Sequence, residues 1–236
     1  MKLKQIDKLI LVFLILALIS LNYSGIDNFL EQTFSYKQEV FVERIIDGDT
    51  IETDIGNIRL LGINTPERGE FYYEEAKDYL KSELLNKTVE LEFTGDRYDK
   101  YNRTLAYIFL NNVNINIKIV EAGFANYYFY EGRDKYSNEL EDAWNSCLNN
   151  KVNLCEPSQY PCSLCININY NFIINNCNFS CNIINWTIKG EGRDKFIFNQ
   201  TLAQNQQANF ELDLTNTGGS LFLKDEIGKL VKWKKE

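Results

Sequence analysis

The order of hydrophobic periodicities between residues 38 and 147 constrains this chain most. Residues 38–46 read as a strand, and 50–54 with 57–63 read as a hairpin turning at Gly56 and Asn57. The period then changes. Phe71, Ala76, Tyr79, Leu80 and Leu84 recur at helical spacing, with charges on the other face, which predicts a helix over 71–85. Alternation returns over 87–93 through Val89, Leu91 and Phe93, and 105–110 is a further strand. A short helix over 115–122 ends at Gly123, and another over 136–147 carries Leu140, Ala143 and Trp144 on one face. Three strands, a helix, two strands and then helices is the element order of a five-stranded OB-fold barrel with flanking helices, an α+β class.

The composition shifts near Ser163. Helical spacing disappears, and short β-prone runs at 171–174, 183–188, 195–198, 208–212, 220–223 and 230–233 alternate with turn residues. Such regular spacing predicts a small all-β sandwich. The runs 182–188 (with Trp186) and 218–231 resemble the lamin-tail domain, an immunoglobulin-like module. The expected organisation is therefore a signal peptide or membrane anchor at 1–24, a linker at 25–37, an OB-fold domain at 38–156 and a β-sandwich at 157–236.

Lys2, Lys4 and Lys8 precede a nearly unbroken apolar run over 9–21. That is a basic n-region and an apolar h-region, shorter than the ~20 residues of a spanning helix. A secretory signal is the first expectation and an uncleaved membrane tether the second. Either places the remainder outside the cell or on the outer face of its membrane. The six cysteines, Cys147, Cys155, Cys162, Cys165, Cys177 and Cys181, fit an oxidising compartment as disulfides. A four-thiolate metal knot from Cys162, Cys165, Cys177 and Cys181 is the alternative, and spacing does not fix the pairing.

A formal net charge of −8 excludes bulk electrostatic capture of nucleic acid. Any nucleic-acid chemistry must concentrate cations locally, around Arg59, Arg97, Lys100 and Arg103. The chain has no histidine, so a general base must be a carboxylate, Lys or Tyr. Three short segments supply candidates. The turn Asp47-Gly48-Asp49 before Thr50 can present two carboxylates together, Arg59 precedes Asn64-Thr65-Pro66-Glu67, and Lys100-Tyr101-Asn102 leads to Arg103. Oxygen ligands suit a hard cation, a carboxylate can handle an attacking water, and guanidinium forks neutralise phosphoryl charge.

In order and spacing these segments resemble the thermonuclease family, the staphylococcal nuclease homologues, over roughly residues 38–156. The resemblance implies the same OB-fold, Ca²⁺ as cofactor and hydrolysis of DNA and RNA phosphodiesters to 3′-phosphate ends. It makes Asp49, Asn64 and Thr65 the metal site, Glu67 the general base, and Arg59 and Arg103 the residues holding the scissile phosphate. Lys100 and Tyr101 are expected to line the substrate groove, with Tyr128 and Tyr130 (and Tyr127) as aromatic faces for a nucleotide. The family carries Asp where this chain has Asn64, which implies weaker Ca²⁺ affinity or a shifted metal preference. The segment between Asn64 and Lys87 is also shorter than in the secreted bacterial nuclease. A non-catalytic binding module on the same fold is the competing reading, and an adhesion role for the β-sandwich a third.

Overall fold

The computed structural model describes residues 38–130, 132–212 and 219–235; the expected signal or anchor and the linker lie outside them. Strand β1 (Gln38–Asp47) serves two neighbours because of its length. Residues 38–41 pair with β5 (Thr88–Glu92), and the rest pairs with β2 (Thr50–Thr53). Register shifts after Val42 and Ile45 bend the strand, as a closing sheet requires. A hairpin joins β2 to β3 (Gly56–Leu60), and β3 runs parallel to β6 (Thr104–Leu110), with Ile58 opposite Thr104. Because β6 also pairs with β5, the order β1-β2-β3-β6-β5 closes into a barrel with no free edge among these five strands. This is the expected OB-fold.

Two small strands continue the frame. After β3, β4 (Ile63–Asn64) pairs with β8 (Asn126–Tyr127), and β7 (Val113–Asn114) extends β6. Three helices cover the barrel. The first, α1 (Tyr73–Leu84), buries Tyr73, Ala76, Leu80 and Leu84, one stripe at helical spacing. Asn114 caps α2 (Ile115–Glu121) by accepting from Ile117 N–H at 3.3 Å. From α3 (Ser137–Asn150), Leu140, Ala143, Trp144 and Cys147 complete the barrel core.

Several boundaries differ from expectation, three of them for a visible physical reason. The hairpin tip is Asp54-Ile55, because Thr53 pairs with Gly56 and its hydroxyl donates to Gly56 C=O at 2.8 Å. Helix α1 starts at Tyr73 because Tyr72 takes a left-handed φ of 69°, its hydroxyl held by Lys229 (2.8 Å) and Glu156 (3.4 Å). The run 183–188 is not one strand. It breaks at Asn185, also left-handed at φ 63°, between β11 (Cys181–Asn182) and β12 (Thr187–Lys189).

The C-terminal part is all β and fits an immunoglobulin-like sandwich. One sheet has β9 (Ile166–Ile168), β10 (Phe172–Asn175) and β15 (Gln207–Asn209). Another runs β13 (Lys195–Ile197), β12, β16 (Leu221–Lys224), β17 (Leu230–Lys234), while β11 pairs with β14 (Thr201–Leu202). All six cysteines are disulfide-bonded, as Cys147–Cys155, Cys162–Cys181 and Cys165–Cys177, so the thiolate metal knot is excluded. The period-2 alternation of β16 makes its sheet a wall between two cores. Leu221 and Leu223 join Trp186, Ile188 and Phe198, whereas Phe222 turns back to Tyr127 and Trp144 in the barrel core. Gln38–Glu236 is accordingly one compact unit.

Candidate active site

The β1–β2 turn carries Asp47, Gly48 and Asp49 against α1 and Thr65. A Cβ on Gly48 would lie 2.9 Å from Ala76 Cβ and from Thr65 side-chain atoms, so only glycine permits this approach. Asp49 is buried, and each of its oxygens is satisfied. Its Oδ2 accepts from Thr65 N–H (3.1 Å), Thr65 Oγ1 (3.0 Å) and the Arg59 guanidinium (3.0 Å); its Oδ1 accepts from Thr50 Oγ1 (3.1 Å). Burial opposes ionisation of Asp49, but the Arg59 charge and the Thr65 hydrogen bonds override it and hold the carboxyl below its usual range. Asp47 behaves oppositely. Burial, and then the charge of Asp49, push its carboxyl up to about 6.

Arg59 projects from β3 into the same buried cluster. Its guanidinium also donates to Leu60 C=O (2.7 Å) and Ile63 C=O (2.9 Å), and reaches Asn64 Oδ1 at 3.5 Å. Carbonyls and a carboxylate thus fix the fork in one orientation. Arg103 is held in another way. Asp99 accepts from Arg103 Nε (2.7 Å), and its other oxygen accepts from the backbone N–H of Tyr101 and Arg103, both at 2.9 Å. Asn102 turns this loop at φ 61°. One nitrogen of Arg103 approaches Thr50 Oγ1 at 3.5 Å, which links the loop to the Asp49 cluster.

The structure therefore brings Asp49, Arg59, Asn64, Thr65 and Arg103 into one connected network. Glu67 stands at its rim with a half-exposed carboxylate that pairs with Arg193 at 2.7 Å, not with the network. Lys100 and Tyr101 are exposed beside Arg103; the Lys100 ammonium is 5.2 Å and the Arg103 guanidinium 5.6 Å from the Tyr101 ring centre. Tyr128 is partly buried, its hydroxyl raised by burial against the opposing charge of Arg59, and Tyr130 lies exposed 5.9 Å from it. Tyr127 belongs elsewhere: it is a core residue with its hydroxyl 2.6 Å from Ser220 Oγ. Among the cations expected to gather here, Arg97 instead lies over Phe93 and donates to Gln38.

Two features escaped the sequence reading. Asp99, the clamp on Arg103, stands four residues before it inside the same motif, and that spacing was the available signal. The second is the turn between β12 and β13. Its Gly192 C=O accepts from Asn64 Nδ2 at 3.0 Å, and Arg193 follows. Nothing local in the sequence ties that turn to Glu67.

The family model for staphylococcal nuclease homologues matches residues 57–156. The thermonuclease of Staphylococcus intermedius is 34% identical over 159 residues, which span 63% of this chain and 95% of that protein. The thermonuclease of Staphylococcus hyicus is 36% identical over 141 residues, 56% of this chain and 80% of that protein. Endonuclease YncB of Bacillus subtilis is 30% identical over 133 residues, 51% of this chain and 63% of that protein. With its OB-fold barrel and so large a share of each thermonuclease covered, the chain belongs to the staphylococcal nuclease family.

Proposed function

We propose that this chain is a Ca²⁺-dependent nuclease that hydrolyses phosphodiester bonds of DNA and RNA. One observation carries the reading: buried Asp49 and Arg59 share one hydrogen-bonded network with Arg103 and Thr65, and Glu67 stands free of it at the rim. The donors at the turn suit a hard cation. They are oxygen alone, from Asp47, Asp49, Thr65 and Asn64, with two carboxylates brought together by one turn. A bound divalent cation would polarise a phosphoryl oxygen there.

The chain's own groups do the rest. Glu67 takes the proton of the attacking water, and no histidine competes for that task. Arg59, already oriented by its carbonyl partners, needs no reorganisation to hold a phosphate oxygen. Arg103 supplies a second guanidinium on a more open loop, and Lys100, Tyr101, Tyr128 and Tyr130 offer charge and ring faces to the nucleic acid. Asn64 contributes a neutral oxygen in place of a charged one, so metal binding is weaker than with a carboxylate.

The Lys-rich start with its apolar run, together with the disulfides, supports a secreted or outer-face location. No helix among the described residues is long and apolar enough to cross a membrane. The part from residue 157 to 236 is read as a lamin-tail-like accessory module. The test is digestion of DNA and RNA by the full chain with Ca²⁺ or with EDTA, followed by analysis of the product ends. Cleavage of both polymers with Ca²⁺ alone, leaving 3′-phosphates, is expected. Equal cleavage in EDTA would refute the metal requirement, and a folded chain that cleaves neither polymer would favour the binding-module reading.

A further inference from the structure

The turn between β12 and β13 is built into the barrel mouth. Lys189 at one end and Lys195 at the other both pair with Glu70, at 3.2 and 2.6 Å. These two ammonium groups overcome partial burial and draw the Glu70 carboxyl down to about 2. Between them, Glu191 is buried and accepts from the backbone N–H of Phe129 (3.2 Å) and Ser220 (3.4 Å). Its own carbonyl accepts from Asn126 Nδ2 at 3.0 Å. Gly192 lies against the ring of Tyr128, where an added Cβ would stand 3.3 Å from Cε2. Its carbonyl is held by Asn64.

That last contact gives Asn64 a task that a carboxylate could not perform. An Asp there would face the Gly192 carbonyl oxygen with a second acceptor. The amide therefore exchanges a negative charge at the metal cluster for a hold on this turn. What the turn presents is Arg193. The two residues before it are held by the contacts above, but its own side chain is 54% exposed, and its Nε rests on Glu67 Oε1 at 2.7 Å.

We propose that Arg193 is a substrate-binding residue of the nuclease site, a third guanidinium supplied by the C-terminal part, which leaves Glu67 for a phosphate oxygen when nucleic acid enters. The assignment rests on the nuclease reading of this site. A general base must lie within hydrogen-bond reach of the attacking water, so a guanidinium on that base is about one water's breadth from the phosphoryl oxygens. A carboxylate and a phosphate are alternative partners for the same fork. Exchanging one for the other also frees Glu67 to take its proton. The short segment after Glu67 brings only Arg68 of its own before the helix, so cations there come from the C-terminal turn.

The experiment compares the full-length wild type with Arg193→Ala and Arg193→Lys on a single-stranded oligodeoxynucleotide in Ca²⁺, as kcat and KM over a salt series. Arg193→Ala should raise KM about tenfold while leaving kcat within about threefold. It should also lower the slope of log KM against log salt by about 0.7, the value of one lost phosphate contact on a single strand. Arg193→Lys keeps the charge and should keep the slope. An active wild type beside an Arg193→Ala variant with unchanged KM and slope would overturn the assignment alone, as would a raised KM with an unchanged slope. A wild type that cleaves nothing would bring down the nuclease reading, and the assignment with it.

Discussion

The barrel and the C-terminal part reach a folded state by different means. Barrel strands run from 4 to 10 residues and close on themselves, with one short-range disulfide, which ties α3 to the segment after it within the same core. Beyond Cys155 no described strand exceeds 5 residues, and two disulfides lie in the smaller core around Trp186. Long strands bury enough apolar surface to hold their own register. Short ones bury too little and need covalent staples. The same division appears at the site. Buried Arg59, oriented by backbone carbonyls and Asp49, comes from the closed barrel, while half-exposed Arg193 comes from a turn of the C-terminal part and rests on Glu67.

Removing the staples tests this contrast with the largest effect. Cys162→Ala with Cys181→Ala opens a 19-residue loop and should cost about 2–5 kcal/mol in chemical denaturation. Cys147→Ala with Cys155→Ala opens a loop of only 8 residues, within a barrel core that many other side chains fill, and should cost less. Equal losses at the two sites would break the distinction.

A smaller effect lies where the regions meet. Burial lifts Glu191 from an ordinary 4.5 to about 7, although Phe129 and Ser220 donate hydrogen bonds to it. Below pH 4.5 both the folded and the unfolded chain hold this proton; above it the unfolded chain releases the proton and the folded chain keeps it. The stability this group contributes is thus fully present below 4.5 and is lost as pH rises toward 7. Glu191→Gln does not titrate, but its amide nitrogen cannot accept the backbone N–H that one carboxyl oxygen receives, so the comparison is of pH slopes and not of absolute stability. The variant's melting temperature should fall less than that of the wild type between pH 5 and 7, by about 2–4 °C for each kcal/mol involved. Parallel pH profiles would show that Glu191 does not govern the junction.

Much of the barrel was legible because its periodicities are long and local. Val89, Leu91 and Phe93 alternate without interruption, and Ala76, Leu80 and Leu84 mark one helix face. The site was legible to the extent that its residues sit in short motifs: Asp49, Arg59, Asn64, Thr65 and Arg103 do meet. What failed depended on distant partners or on backbone strain. Tyr72 is left-handed where its hydroxyl is tied to Lys229 and Glu156, and no local propensity predicts that. Asn185 breaks an apolar run that reads as one strand. The partner of Asn64 lies 128 residues away, at Gly192, and no periodicity joins them. Tyr127 resembled its neighbours in sequence, but β4–β8 pairing sends it inward to Trp144 and Phe222.

The central claim is that Glu67 at the barrel mouth takes a proton during phosphodiester hydrolysis. Its most direct test is the single-turnover rate of DNA cleavage in Ca²⁺ by the full chain beside Glu67→Gln, which keeps the side chain's shape but cannot accept the proton. The account predicts a loss of about 10²–10⁴-fold in the variant, the usual contribution of such a group. A variant that cleaves as fast as the wild type would contradict it.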